Sequence, residues 1–207
     1  MKVSKLLRLL SFFSCIGYAL SCNANQVILV LGDSLSAGYG LQPNQGWVNL
    51  LVDKLAEKKL DYSIINYSQS GETAAEGLER LPQQLTQTNP QLVILALGSN
   101  DGLRLTPIMD INITISHMID LIKATPAQIL LVGFKLPRNF PQDYRAAFEA
   151  VFPAISSHYD VKLVPFLMEG MDNVRYFQPD NLHPTAAAQP IMMENVWKYL
   201  EPMLNKS

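Results

Sequence analysis

Four short clusters in this chain carry groups that could do covalent chemistry. Gly32-Asp33-Ser34-Leu35-Ser36 offers a hydroxyl. Asn66-Tyr67-Ser68-Gln69-Ser70-Gly71-Glu72 offers a glycine backbone N–H, and Gly98-Ser99-Asn100-Asp101-Gly102 a carboxamide. Asp180-Asn181-Leu182-His183-Pro184 places a carboxylate three residues before an imidazole. Together these supply a nucleophile, oxyanion donors, a base and a group to orient the base, which are the parts acyl transfer requires. An alcohol is a weak nucleophile at neutral pH, so Ser34 needs an imidazole partner. Pro184 biases His183 away from helical backbone angles and keeps it in a loop. Asp180 can fold over to the second ring nitrogen and fix its tautomer.

Taken singly, each cluster has a plainer reading. Ser34 could cap a following helix, and Gly71 could serve a turn of positive φ. Asn100 and Asp101 could be turn residues, and Asp180 with His183 a surface pair. A phosphate-binding role is disfavoured, since the chain lacks both G-x-G-x-x-G and G-x-x-x-x-G-K-[ST]. The G-x-S-x-G nucleophile elbow is absent too. His117 and His158 fall in expected helices, His117 in a buried one, and make no metal-ligand spacing with Asp180 or His183. No metal and no cofactor are expected.

The elements that must position these clusters alternate between strand and helix. Apolar runs at 26–31, 62–67, 92–97, 128–132 and 161–164 read as five strands. Helical spacing of apolar residues covers 47–59, 72–88, 106–124, 141–158 and 187–200. Pro82 is expected to kink or split its helix, and Pro153 to disturb its own. The 106–124 helix reads as largely buried, with Asn112, Ser116, Asp120 and Lys123 as its polar stripe. Uniformly apolar strands separated by helices imply a parallel sheet covered on both faces, hence a three-layer, doubly wound α/β fold. Sites in such sheets form beyond the carboxyl ends of the strands, which is where the first three clusters fall.

Taken in order, GDSLS at 32–36, Gly71, GSND at 98–101 and DNLH at 180–183 resemble the four blocks of the GDSL/SGNH hydrolases. The likeness covers essentially the whole chain after residue 24. GDSLSAGYGL (32–41), SGETAAEGLERLP (70–82) and LGSNDGLR (97–104) are most similar to the bacterial exported thioesterase I/lysophospholipase/arylesterase branch. Ser99 departs from that branch, which often has glycine there, and could reshape its loop. The resemblance implies a flavodoxin-like α/β/α sandwich on a five-stranded parallel sheet. It implies Ser34 as nucleophile, His183 as base and Asp180 as its orienter. The implied oxyanion donors are the N–H groups of Ser34 and Gly71 and the side chain of Asn100. Asp33 and Asp101 read as loop-shaping groups.

The apolar residues ahead of the last cluster either pack as core or line an acyl-chain groove. Under the second reading Tyr176 and Phe177 contact substrate. No lid domain is visible, so a shallow, open site is expected. The reading that follows is a serine hydrolase of carboxylic esters and thioesters, with lysophospholipids, fatty-acyl thioesters and aryl esters as implied substrates. The alternatives are a carbohydrate O-deacetylase and a non-catalytic periplasmic binding module.

Composition limits what else the chain could be. Its 207 residues suit one domain, 48% are hydrophobic and the net charge is −2, which gives no basic footprint for nucleic acid. The two cysteines, Cys15 and Cys22, cannot form a disulfide scaffold. Residues 1–24 run from basic (Lys2, Lys5, Arg8) through apolar (9–20) to small (Cys22-Asn23-Ala24), which reads as a signal peptide cut after Ala24. An uncleaved anchor or lipidation at Cys22 are the alternatives. Cleavage removes three basic and no acidic residues, leaving an SGNH domain over 25–207 with 13 basic and 18 acidic side chains. An exported, periplasmic or secreted monomer is expected, with no membrane insertion after cleavage and a small acyl ester or thioester as its partner.

Overall fold

Five apolar runs form the strands of a single parallel sheet: β1 (Gln26–Gly32), β2 (Tyr62–Asn66), β3 (Leu92–Ala96), β4 (Gln128–Val132) and β5 (Lys162–Val164). The computed structural model describes residues 26–204, so the segment read as a signal peptide lies outside the described residues. The strand order is β2-β1-β3-β4-β5, the flavodoxin-like arrangement, in which the direction of winding reverses between β1 and β3. Every residue of β3 is buried, as are Ile28 to Leu31 of β1, because helices cover both faces.

The helices are α1 (Ser34–Ala37), α2 (Trp47–Glu57), α3 (Ala74–Thr88), α4 (Ser99–Leu103), α5 (Ile108–Lys123), α6 (Gln142–Tyr159) and α7 (Gln189–Leu200). One layer is α2 against α7; the other is α5 flanked by α3 and α6. The first layer joins chain segments that are far apart in sequence. Gln189 Oε1 accepts the N–H of Trp47 at 2.9 Å, and both residues are buried. In the second layer, Ile111, Ile115, Met118, Ile119 and Ile122 of α5 are all inaccessible to solvent.

Several sequence expectations change here. Neither Pro82 nor Pro153 splits its helix: α3 and α6 each run through as one element. Buried Leu81 and Leu85 of α3, and Val151 and Ile155 of α6, hold the turns on either side. The missing N–H is thus tolerated where packing fixes the helix. The α3 helix starts at Ala74 rather than Glu72. Thr73 caps it and forms a reciprocal capping box with Glu76, the Glu76 carboxylate accepting the Thr73 N–H at 2.7 Å. The α5 helix is less buried than expected: Met109 is 69% and Ile113 58% exposed, and His117 also faces solvent. Two helices of four and five residues, α1 and α4, carry too few residues for a periodic signal.

Candidate active site

Ser34 is the first residue of α1, immediately past β1. Asp33 caps that short helix, its Oδ1 accepting the N–H of Leu35 at 2.9 Å. Ser34 is thereby fixed at the carboxyl end of β1, beside the point where the sheet reverses its winding.

His183 reaches this position from the far end of the chain. Its Nε2 lies 3.0 Å from Ser34 Oγ, and its Nδ1 lies 2.7 Å from Asp180 Oδ2. With Nδ1–H donating to the carboxylate, Nε2 is free to accept the serine proton. The loop that holds this ring is built from local bonds. Asp180 Oδ1 accepts the N–H groups of Leu182 and His183, both at 2.9 Å, and Asn181 takes the left-handed conformation that asparagine tolerates. The base of the loop closes through Gln178 N–H to the His183 carbonyl at 2.7 Å and Thr185 N–H to the Tyr176 carbonyl at 2.8 Å. Three donated N–H hydrogens, two from backbone and one from the imidazole, push the Asp180 carboxyl down to about 2, with the His183 backbone bond the largest influence. Asp180 is therefore anionic at neutral pH.

A second anchor ties this loop to the nucleophile's side. Gln178 Nε2 donates to the Tyr39 carbonyl at 2.8 Å and to the Pro184 carbonyl at 3.0 Å. The Tyr39 ring packs on the His183 ring with centroids 4.3 Å apart. Neither Tyr39 nor Gln178 belongs to the clusters singled out in the sequence. Tyr39 is 139 residues from Gln178, so spacing carries no signal for the contact between the two loops.

Gly71 and Asn100 complete the ring around Ser34. Gly71 has φ of +82°, and a side chain there would meet open space. Backbone conformation, not crowding, is what calls for glycine at this position. Its carbonyl accepts from Arg104 Nη2 at 2.9 Å. The Asn100 carboxamide donates to the Glu72 carbonyl at 3.0 Å and, more loosely, to Asp33 Oδ2 at 3.3 Å. Glu72 is itself buried and paired with Arg80 through bonds of 2.6 and 2.5 Å, so the loop after β2 is clamped on both sides of Gly71.

The two aspartates read as loop-shaping groups make such contacts. Asp101 accepts the N–H of Ala74, the first residue of α3, at 2.8 Å. Asp33 is wholly buried; its Oδ2 accepts a short hydrogen bond from the Ser99 hydroxyl. Burial pushes the Asp33 carboxyl up to about 6, against the lowering influences of Ser99, the Leu35 N–H and the nearby His183.

Ser34, Gly71, Asn100 and His183 share the wall of one cavity of about 800 Å³. That is within the usual range for small-molecule sites. Of the apolar residues preceding the last cluster, Phe166, Met168, Met171 and Phe177 line it, while Leu167 is packed in the core. Tyr176 is not in the cavity wall; its hydroxyl accepts from Arg175 and its ring lies beneath that guanidinium. The loop after β4, from Phe134 to Arg138, supplies a further wall that sequence reading did not single out. Among the described residues, no group of three or more His, Cys, Asp or Glu side chains could hold a metal ion.

A serine hydroxyl, an imidazole and a carboxylate in hydrogen-bond contact, at the winding reversal of a flavodoxin-like sheet, are the arrangement of a serine hydrolase of the α/β/α type. The chain belongs to the GDSL-like lipase/acylhydrolase family, whose model matches residues 30–190, and it is an enzyme of ester hydrolysis. It is 43% identical over 182 residues to esterase TesA of Pseudomonas aeruginosa, covering 87% of this chain and 90% of that protein. It is 41% identical to an arylesterase of Vibrio mimicus, covering 93% and 95%. It is 39% identical to thioesterase 1/protease 1/lysophospholipase L1 of Escherichia coli K12, covering 88% and 86%. The crystal structure of the psychrotrophic esterase EstA from Pseudoalteromonas sp., inhibited by monoethylphosphonate, superposes with a TM-score of 0.83 at 36% identity, covering 87% of this chain and all of that one.

Proposed function

We propose that Ser34 is the nucleophile of this hydrolase, His183 its general base and acid, and Asp180 the group that orients the imidazole. The contact that carries this reading is Ser34 Oγ to His183 Nε2 at 3.0 Å, backed by His183 Nδ1 to Asp180 at 2.7 Å. Ser34 Oγ attacks the carbonyl carbon as its proton passes to Nε2. The resulting oxyanion is met by the N–H groups of Ser34 and Gly71 and by Asn100 Nδ2. Collapse breaks the bond to the leaving oxygen or sulfur, which takes the proton from His183. Water then attacks the acyl-serine by the same relay in reverse roles.

The substrates are carboxylic esters and thioesters with medium-to-long acyl groups: aryl esters, fatty-acyl thioesters and lysophospholipids. The apolar walls of the cavity, from Leu103, Phe134, Leu136, Phe166 and Met171, support an acyl chain. Phe177 contacts substrate and Tyr176 supports the loop behind it. The names of the relatives accord with this range. Residues 1–24 direct export to the periplasm, and the mature chain, from near Asn25, works as a monomer without lipid. Among the described residues no helix is long and apolar enough to cross a membrane.

A fluorophosphonate probe tests the nucleophile. Wild type is labelled on one serine and Ser34→Ala is not, although it stays folded. Labelling that survives in Ser34→Ala overturns the assignment. Intact mass of the exported protein tests the leader: a mass retaining Met1, or a diacylglyceryl adduct on Cys22, overturns it.

A further inference from the structure

The cavity is electrostatically one-sided. Lys135 and Arg138 lie in its wall, and no carboxylate does, although the chain as a whole is net negative. Both cations come from the loop after β4. Phe134 and Leu136 are buried and root that loop in the core, while Pro137 stiffens it between the two charges. The loop is thus held from below, while Lys135 and Arg138 line the cavity and are exposed.

Neither cation is engaged in holding the fold together. Among the described residues, Arg138 makes no hydrogen bond, ion pair or ring contact. Lys135 lies 3.6 Å from Glu169, a pair exposed on both sides, and its ammonium sits 4.8 Å from the centre of the Phe166 ring. Exposed pairs of this kind contribute little to stability. A guanidinium with its donors unspent, a few residues from an ammonium, suits an oxyanion, because the planar fork matches phosphate or carboxylate.

The sheet sets the distance. The β4 strand is two places from β1. Two inter-strand steps of ~4.8 Å separate the ends of β1 and β4 by roughly 10 Å, and the loop extends three to six residues beyond that. We propose that Lys135 and Arg138 form a subsite for an anionic group, phosphate or carboxylate, carried on the substrate roughly 10 Å or more from the scissile carbonyl. The inference rests on the reading of Ser34 as the centre of ester cleavage. The anion has two possible sources: the leaving group, as in a monoacylglycerol phosphate, or the far end of the acyl chain, as in a half-ester of a dicarboxylic acid.

The test compares matched substrates in the mature protein. A monoacylglycerol phosphate is set against the corresponding monoacylglycerol. A p-nitrophenyl half-ester of suberic acid is set against p-nitrophenyl octanoate. Each kcat/KM is measured for wild type and for the Lys135→Gln/Arg138→Gln double variant, in 20 and 500 mM salt. In one of the two pairs the ratio of anionic to neutral kcat/KM should fall at least tenfold in the double variant, chiefly through KM. High salt should lower the same ratio in wild type, and Lys135→Arg/Arg138→Lys should restore it. The pair that responds identifies the source of the anion. Ratios within twofold of wild type in both pairs overturn the subsite, as does an equal loss on neutral and anionic substrates. Failure of the Ser34 reading shows itself separately, as fluorophosphonate labelling that persists in Ser34→Ala.

Discussion

Ser99 donates its hydroxyl hydrogen to the buried carboxylate of Asp33, so the loop after β3 is tied to the residue just before Ser34. The same carboxylate caps the helix that begins with Ser34 and makes a loose contact with the Asn100 carboxamide. Removing the hydroxyl leaves Asn100 as the remaining side-chain donor near Asp33 Oδ2. In Ser99→Ala, Asn100 should turn toward Asp33 and away from the reacting carbonyl. The expected result is a kcat lowered about tenfold with KM little changed. A hydrogen bond to a charged group contributes ~1.5–3 kcal/mol, so urea unfolding should show a loss within that range. An unaltered kcat would mean that Ser99 only fills space.

Asp33 and Asp180 give stability opposite dependences on pH. The folded protein holds the Asp33 proton more tightly than the unfolded chain does. Its contribution is complete below the unfolded value of 3.8 and is lost as pH rises through about 6. The Asp180 carboxyl is shifted the other way. Its contribution is present above 3.8 and lost as pH falls through about 2. Urea unfolding from pH 2.5 to 7 separates them. Asp33→Asn should flatten the decline between pH 4 and 6, worth roughly 3 kcal/mol at ~1.4 kcal/mol per pKa unit. Asp180→Asn should flatten the decline on the acid side of pH 4. A wild-type profile that is level from 4 to 6 contradicts the Asp33 assignment.

In the proposed mechanism Asn100 meets the oxyanion. Loss of one such donor lowers kcat by roughly 10²–10³ at comparable sites. Asn100→Ala should show that loss with little change in KM. A variant whose only defect lies in KM would place Asn100 in ground-state binding.

Gln178 holds the His183 loop against the Tyr39 loop through two donated bonds. Each bond is worth about 1 kcal/mol. In a chain of this size ~1 kcal/mol moves Tm by about 2–4 °C. Gln178→Ala should therefore lower Tm by several degrees and slow fluorophosphonate labelling, because His183 is less well held over Ser34. Unchanged labelling would assign Gln178 to stability alone.

The strands were legible because each is an unbroken apolar run that needs burial on both faces, and their number and order of appearance follow directly. The chemistry-bearing loops were legible because Ser34, Gly71 and Asn100 follow strands where a parallel sheet places its sites, and His183 sits with Asp180 in a loop that Pro184 keeps out of the last helix. What spacing could not reveal were contacts made between remote loops. Tyr39 on His183, Gln178 under Tyr39 and Arg104 on Gly71 all depend on how finished elements dock. The α5 helix was misjudged because its solvent face carries Met109 and Ile113, whose chemistry imitates a buried stripe. Pro82 and Pro153 lower local helix propensity, yet each helix runs through as one element because packing on the sheet holds it.

The 149 residues separating Ser34 from His183 make catalysis a property of the finished chain. The nucleophile and its short helix are made early, but the imidazole arrives only after all five strands have been laid down. If His183 is the base proposed above, a chain that ends before residue 183 carries Ser34 without its imidazole partner. Contacts of such long sequence separation also form late in folding, because loop closure must come first. In refolding, the recovery of probe labelling should lag behind the recovery of helical signal, and that interval times the docking of the last loop onto the sheet.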